Sequence, residues 1–337
     1  MSKKPIKIAI NGFGRIGRAV FKIALEDPKI KIVAINDLSD SATLAHLLKY
    51  DSVYGIYHKE IKSDDKNVYI DNVAYPSYSI KELENLPWKK IGVDVVLECT
   101  GKFVKDGAAD GHLKAGAKKV IISAPAKGED NINTYLIGVN EDKYKGEKII
   151  SNASCTTNCI AAVTKVVNEN FGIKKAFLNT IHSYTAEQNL VDGPNKDLRR
   201  ARSAAQNIVP TTTGAAIAVT EVLPELKNKF DGVAIRVPSV CGSLSDITYV
   251  LKKKTTVEEV NKILKKAASS AKLKDILTVT NDPIVSSDVI GNSASSIVDL
   301  KSTMMIGDDY LKILAWYDNE WGYACRLVEM VAVVMKK

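Results

Sequence analysis

Two stretches of the chain bring together residue types that can do covalent chemistry. The first is Ser151-Asn152-Ala153-Ser154-Cys155-Thr156-Thr157-Asn158-Cys159, a polar run between Lys148-Ile149-Ile150 and the apolar run that starts at Ile160. That order reads as strand, tight turn and helix start, so small hydroxyl and amide side chains cap the helix and leave backbone N–H groups facing an anion. Cys155 then sits at the positive end of a helix, where the dipole and a cationic neighbour lower a thiol's pKa and favour the thiolate that attacks carbon. Position alone favours the plainer reading of two small buried hydrophobes. The second stretch is the strand-like Ala176-Phe177-Leu178-Asn179-Thr180-Ile181, which delivers His182 at its end, followed by Ser183-Tyr184-Thr185. A histidine by itself reads as structural, but paired with a nearby cysteine it makes a thiolate–imidazolium couple usable near pH 7.

A third group shapes backbone instead of moving protons. The short β-branched run Ile6-Lys7-Ile8-Ala9-Ile10-Asn11 leads directly into Gly12-Phe13-Gly14-Arg15-Ile16-Gly17 and a helical pattern through Ala24. A second strand, Lys31-Ile32-Val33-Ala34-Ile35-Asn36, ends at Asp37, about twenty residues beyond Gly17. In this context the first glycine permits the turn, the second lets backbone approach a pyrophosphate, and the third allows close helix–strand contact. Asp37 accepts hydrogen bonds from an adenosine ribose and repels a 2′-phosphate, so NAD is expected over NADP; the plainer alternative is a surface aspartate ending a strand.

These residues need a frame that holds them. Val93-Asp94-Val95-Val96-Leu97-Glu98-Cys99 and Lys118-Lys119-Val120-Ile121-Ile122-Ser123-Ala124-Pro125 read as buried strands, with a helix from Lys105 to Ala115 between them, capped by Gly116. Strands alternating with helices imply a parallel, doubly wound sheet whose ligands sit at the carboxyl ends of the strands, so Thr100-Gly101 and Ser123-Ala124 point at the cofactor. Between Tyr54 and Tyr78 short alternating segments read as a β-rich insertion. Farther on, Thr211-Thr212-Thr213-Gly214 before helical Ala215 to Val222 is another hydroxyl-rich helix start suited to phosphate, and Gly232-Val233-Ala234-Ile235-Arg236-Val237-Pro238 puts Arg236 at a strand end. Val257 to Ala268 reads as an amphipathic helix, with strands at 297–300, 304–306 and 311–317 and a last helix from Gly322 to Met335.

Composition bounds the remaining possibilities. A length of 337 residues points to two domains, and 45% hydrophobic residues support well-buried cores. No window reaches the roughly 18 apolar residues that span a bilayer, and no apolar signal region leads the chain, so an intracellular, membrane-free protein is expected. Five cysteines, an odd number, argue against a disulfide framework, and four dispersed histidines give no zinc-ligand spacing, so no metal is expected. The formal charge of +8 suits nucleic acid or a small anionic substrate equally.

Asn11-Gly12-Phe13-Gly14-Arg15-Ile16-Gly17-Arg18, the run Ser151 to Cys159, His182-Ser183-Tyr184-Thr185 and Trp316-Tyr317-Asp318-Asn319-Glu320-Trp321-Gly322-Tyr323 together resemble the phosphorylating glyceraldehyde-3-phosphate dehydrogenase family over essentially the whole chain. The resemblance implies an α/β fold: a Rossmann NAD-binding domain from residues 1–154 with 320–337, and an α+β catalytic domain with a mainly antiparallel sheet at 155–319. It implies Cys155 as nucleophile and His182 as base, with Thr185 and Arg236 gripping the substrate's own phosphate. Ser154, Thr156, Thr213 and Gly214 complete the phosphate contacts, together with an inorganic-phosphate ligand taken as Arg200 in preference to Arg199. It also implies that Asn11, Gly12, Gly14, Arg15, Ile16, Gly17, Asp37, Thr100 and Ser123 hold NAD, with Asn319 on the nicotinamide carboxamide and Tyr323 beside the ring. Glyceraldehyde 3-phosphate and inorganic phosphate are the implied substrates. A cytoplasmic homotetramer is implied as well, in which the long polar loop 184–210 lines a neighbouring subunit's cofactor pocket and Gly193-Pro194 has the NAD-preferring form. Ser239-Val240-Cys241-Gly242-Ser243 departs from the family's Thr-Pro-Asn-Val-Ser, which puts the contacts around it in question. The alternatives are an erythrose-4-phosphate dehydrogenase, in which hydrolysis replaces phosphorolysis, a basic RNA-binding Rossmann protein, and a thiol hydrolase that ignores NAD.

Overall fold

Runs of β-branched residues supply the central strands, because branched side chains pack well on a pleated surface buried on both faces. The computed structural model describes residues 4–105, 107–127 and 132–336. They divide into two compact units, one running up to Ala153 and resuming at Ala324, the other Ser154–Tyr323.

In the first unit Ile6–Asn11 lies between Ile30–Asn36 and Val95–Glu98, and Lys119–Ile122 and Ile149–Ser151 extend the sheet beyond Val95–Glu98, all pairs parallel. The chain passes from the first strand to Ile30–Asn36 on one side and later returns to Val95–Glu98 on the other, which makes the carboxyl end of Ile6–Asn11 a topological switch point. The β-rich insertion joins the same sheet: Val73–Tyr78 pairs parallel with Ile30–Asn36, and Asn67–Ile70 and Ile61–Ser63 continue it antiparallel. The first helix is Arg15–Leu25, whose buried side includes Ala19, Val20, Phe21 and Ala24.

One expected element is shorter than its sequence pattern. Only Asp110–Lys114 is helical where a helix from Lys105 to Ala115 was expected. Lys105 is drawn into an isolated parallel bridge with Lys127, and Ala108 and Asp110 close turns on Lys105 and Gly107, which use the backbone groups an earlier helix start would need. Asp106 lies outside the described residues.

The second unit is built on a mainly antiparallel sheet in the order Val209–Thr212, Phe230–Val237, Ile173–Ser183, Ser243–Leu251, Tyr310–Tyr317, Ser296–Asp299, Leu277–Thr280, with Met304–Ile306 beside Tyr310–Tyr317. Two of its pairings are parallel, including Ile173–Ser183 with Phe230–Val237. Cys155–Phe171 packs on this sheet through buried Cys159, Ile160, Val163, Val166 and Val167. Burying each such branched side chain contributes about 1.5–3 kcal/mol relative to exposure, so the helix start that carries Cys155 rests on a rigid base. Loop 184–210 is held by its own backbone: Asn189 N–H donates to Arg200 O, Gly193 N–H to Ala201 O and Ala204 N–H to Asn189 O. Among the described residues no helix is long and apolar enough to cross a membrane, and no cluster of His, Cys, Asp and Glu is arranged to hold a metal ion.

Candidate active site and dinucleotide pocket

The strand Ile149–Ser151 stops where Ala153 takes a positive φ of 52°, and Ser154 follows in extended geometry as the cap of the helix Cys155–Phe171. Ser154 Oγ accepts from Thr157 N–H at 3.1 Å, so Cys155 occupies the first helical position. His182 comes from the adjoining strand system, next to last in Ile173–Ser183, and its Nε2 lies 3.5 Å from Cys155 Sγ. Register places Arg236 directly opposite His182 on the parallel neighbour. The Ser183 carbonyl accepts from Arg236 Nη1 at 3.0 Å and lies 2.7 Å from His182 Nδ1. Arg236 Nη1 also stands 2.9 Å from His182 Nδ1; in the tautomer in which Nδ1–H donates to the Ser183 carbonyl, Nε2 is the basic nitrogen and it faces the thiol.

The ionisation of this pair departs from the sequence expectation. Burial pushes the Cys155 thiol up, and the Arg236 guanidinium, the Thr156 hydroxyl and nearby N–H groups only partly pull it back. Burial pushes the His182 imidazole down, and the adjacent Arg236 cation adds to that. The expected lowering of the thiol by its helix position is therefore corrected. Taking either charge out of water works against the helix end here, and the His182 ring stands within reach of the thiol proton.

Two side-chain atoms of the residues expected to hold the substrate's phosphate have no partner among the described residues. Thr185 Oγ1 and Arg236 Nε are buried and unbonded among the described residues. Buried donors are normally satisfied, so a free guanidinium N–H beside His182 and a free hydroxyl three residues farther along the chain are each open to an anionic oxygen. The other expected phosphate residues differ in how free they are. Thr156 Oγ1 is 2.9 Å from Tyr317 OH, which is also 2.9 Å from Thr180 Oγ1, so that hydroxyl is turned into the core. Arg200 pairs with Glu187 at 2.7 Å and with Asp197 at 3.4 Å, and donates from Nε to Thr211 Oγ1 at 3.0 Å. Among the described residues Arg199 Nη1 reaches only Pro210 O, at 3.5 Å. Thr213 Oγ1 accepts from Ala215 N–H, and Gly214 caps the helix Ala215–Val222.

Farther along the same unit, Asn319 is buried with its amide oxygen accepting from Gly242 N–H at 3.1 Å and Ser243 Oγ–H at 2.8 Å. Those bonds fix which end of the amide is the donor and leave its NH2 as the free end. The variant segment Ser239 to Ser243 thus keeps this contact, and Cys241 Sγ–H donates to Asp318 at 3.2 Å. Tyr323 is buried in the first turn of Trp321–Val334.

In the first unit the glycine turn sits at the switch point. A Cβ on Gly12, which has φ of 90°, would lie 2.8 Å from Thr100 N, and one on Gly17 would lie 2.1 Å from Gly12 O. Neither position tolerates a side chain, and Gly14 caps the helix with nothing within 4 Å of its added Cβ, leaving the approach to the turn open. A cavity of about 480 Å³ opens here, lined by Asn11, Gly12, Gly14, Asp37 and Thr100 among others. An open glycine turn over a helix start and a strand-end carboxylate fits a dinucleotide. Asp37 Oδ2 accepts from Phe13 N–H at 2.7 Å and Oδ1 from Ser39 N–H at 3.0 Å, so it also anchors the turn. Arg15 pairs with Asp51 at 2.7 Å, Ile16 is half-buried on the first turn, and Ser123 N–H donates to Glu98 O at 2.9 Å.

Sequence reasoning passed over three residues here. Asn36 lines the same cavity, Glu98 bonds Asn11 and Thr100, and Ser243 orients Asn319. The first two share a legible signal, since Ile6–Asn11, Ile30–Asn36 and Val95–Glu98 are apolar strands that each end in one polar residue.

Comparison with known proteins agrees over both units. The family model described as glyceraldehyde 3-phosphate dehydrogenase, NAD binding domain, matches residues 6–106, and that of the C-terminal domain matches 154–319. The chain is 52% identical to the glyceraldehyde-3-phosphate dehydrogenase of Geobacillus stearothermophilus, over 98% of this chain and 99% of that one. It is also 52% identical to that of Borreliella burgdorferi, over 98% and 100%, and 51% identical to that of Streptomyces coelicolor, over 98% of both.

Proposed function

The chain belongs to the glyceraldehyde-3-phosphate dehydrogenase family, and on that premise we propose how its own residues carry the reaction. It is a glycolytic oxidoreductase that converts glyceraldehyde 3-phosphate, NAD and inorganic phosphate to 1,3-bisphosphoglycerate and NADH. Bound NAD supplies the hydride acceptor. Asn11, Gly12, Gly14, Arg15, Ile16, Gly17, Asp37, Thr100 and Ser123 hold the dinucleotide, and Asn319 and Tyr323 take its nicotinamide end.

Cys155 Sγ attacks the aldehyde carbon as His182 Nε2 removes the thiol proton across the 3.5 Å between them. The oxyanion is met by the Cys155 backbone N–H and by the protonated His182, a preorganised stabilisation of about 3–4 kcal/mol per donor. His182 then returns its proton to the oxyanion to give the thiohemiacetal hydroxyl, and, neutral again, takes that proton back as the hydride leaves, so that a Cys155 thioester remains. Inorganic phosphate, held by Ser154, Thr213, Gly214 and Arg200, attacks the acyl carbon, and the Cys155 thiolate leaves with the acyl phosphate free. Thr185 and Arg236 hold the substrate's own phosphate, and Thr156, whose hydroxyl is shared between Tyr317 and the Cys155 thiol, stands at the same helix start.

The observation that carries this reading is the Cys155–His182 pair with Arg236 beside it, whose Nε is unpartnered among the described residues, as is the buried Thr185 Oγ1. Cys155→Ser is expected to abolish NADH formation while NAD still binds, measured by calorimetric titration; full activity in that variant would remove the assignment. Oxidation of erythrose 4-phosphate with hydrolysis, RNA binding in the glycine-turn groove, and hydrolysis without NAD are not favoured by the family assignment. A homotetramer is part of the proposal, supported by Leu190, Val191, Leu198 and Ile208 on loop 184–210, which are 71–81% exposed and are apolar surface that a subunit contact would cover. A cytoplasmic location follows from the glycolytic role.

A further inference from the structure

The carboxyl ends of three neighbouring parallel strands carry Asn36, Asn11 and Glu98 in one register row. All three are buried, Glu98 to 1% exposure. Glu98 is not a surface acid that happens to lie near a pocket. One carboxylate oxygen accepts from Asn11 Nδ2 at 2.5 Å and lies 3.0 Å from His112 Nε2; the other accepts from Thr100 N–H at 2.8 Å and from the Thr100 hydroxyl. Trp88 Nε1–H donates to His112 Nδ1 at 3.0 Å. An indole N–H can only donate, so Nδ1 is the acceptor and Nε2 carries the proton given to Glu98. On the other side Asn11 Oδ1 accepts from Asn36 Nδ2 at 2.7 Å, and Asn36 exchanges bonds with the Ile80 backbone at 2.9 and 3.0 Å. The result is one continuous chain of hydrogen bonds from Trp88 to Ile80, buried as far as Asn36 and half-buried at Ile80.

A buried carboxylate surrounded by uncharged donors is an expensive way to fill a core, and an apolar side chain of similar volume would stabilise at least as well. What the carboxylate does have is direction. Asn11, Thr100, Asn36 and Ile80, each fixed by this chain of bonds, all line the cavity at the glycine turn, whereas Glu98, His112 and Trp88 do not. Thr100 N is also the atom that a Cβ on Gly12 would strike at 2.8 Å, so moving Thr100 moves the turn.

We propose that Glu98 is a positioning residue of the dinucleotide site, its buried carboxylate tied to the core by His112 and Trp88 so that Asn11, Thr100 and Asn36 stand at fixed places around the cofactor. The proposal rests on the reading of that cavity as the NAD site. Glu98→Gln presents a second NH2 to donors that need an acceptor, so one of Asn11, Thr100 or His112 must turn away.

The test is NAD affinity measured by calorimetric titration of the full chain, with kcat at saturating NAD, the alkylation rate of Cys155 and the melting temperature recorded alongside. Glu98→Gln should raise the Kd and the KM for NAD about tenfold, with kcat at saturating NAD within about twofold and Cys155 alkylation unchanged. His112 does not itself line the cavity and bears on it through Glu98 and through an edge contact with Phe103, which does line it, so His112→Leu should weaken NAD at least fivefold. His112→Gln, which restores a donor to the carboxylate, should return affinity to within about threefold of the unaltered chain. Should Glu98→Gln fail to fold, the two His112 variants decide the matter alone. Wild-type NAD affinity in folded Glu98→Gln or His112→Leu would overturn the proposal, as would lowered melting temperatures in both His112 variants with affinity unmoved, since a purely structural role predicts that pattern. Failure of the unaltered chain to bind NAD would instead remove the reading of the cavity and leave the hydrogen-bond chain without its function.

Discussion

Asp37 offers a perturbation whose two consequences can be separated. Its Oδ2 accepts from Phe13 N–H at 2.7 Å inside the glycine turn, and the same carboxylate is proposed to accept from the adenosine ribose of NAD. A hydrogen bond from a neutral donor to a charged acceptor contributes about 1.5–3 kcal/mol. Asp37→Ala therefore weakens NAD by about tenfold if only one such bond is expressed in binding, and by about 10²–10⁴-fold if both are fully expressed. Discrimination against NADP has a different origin. A 2′-phosphate bears close to two charges, and each charge about 4 Å from the carboxylate in water is repelled by about 1 kcal/mol. Removing that repulsion shifts the ratio of NADP to NAD dissociation constants by about 2 kcal/mol, or about 30-fold. Asp37→Asn keeps an oxygen for Phe13 N–H but loses the charge. It should shift the ratio by that 30-fold while weakening NAD much less than Asp37→Ala does. Titrating both cofactors into both variants by calorimetry measures all four constants. An unaltered NADP/NAD ratio in Asp37→Asn would refute the ribose assignment, and equal losses of NAD affinity in the two variants would refute the role of the Phe13 bond.

Two further outcomes follow from the thiol pair. His182→Asn removes the base 3.5 Å from Cys155 Sγ, so NADH formation should fall by about 10²–10⁴-fold, the usual worth of a placed general base, and Cys155 should alkylate more slowly at neutral pH; unchanged alkylation kinetics would count against the pairing. Arg236→Gln takes away a cation that favours the thiolate and disfavours the imidazolium. The pKa of Cys155 and that of His182 both rise, so the alkaline limb of the Cys155 alkylation rate should move to higher pH by about one unit, and a limb that stays in place or moves down would contradict the electrostatics of the site.

Much of the frame was legible because local signals and the global fold agree. The run from Ile6 to Gly17 carries strand, turn and helix start in twelve consecutive residues, and the polar run before Ile160 becomes a capped helix with Cys155 in its first position. The parallel sheet and the mainly antiparallel one are both present as the resemblance implied. Other features depend on what lies across the fold. The helix expected from Lys105 starts only at Asp110, because Lys127, more than twenty residues on, takes Lys105 into a bridge. The direction in which Cys155 is shifted depends on how deeply its surroundings bury it, and no spacing along the chain reports that. Arg200 reads in sequence as one cation among several, yet Glu187 and Asp197 already hold it. Glu98 reads as the end of a core strand. Only the register with Asn11, and a histidine fourteen residues farther along at 3.0 Å, reveal what it does.

The central claim is that one thiol passes an acyl group from an aldehyde to inorganic phosphate while NAD is reduced. NADH formation from glyceraldehyde 3-phosphate and NAD, followed with and without inorganic phosphate and before and after stoichiometric alkylation of the reactive thiol, tests it most directly. Sustained, phosphate-dependent NADH formation that is lost on alkylation, with the modification mapped to Cys155, is the predicted result. Turnover indifferent to phosphate, or full activity after Cys155 is alkylated, would contradict it.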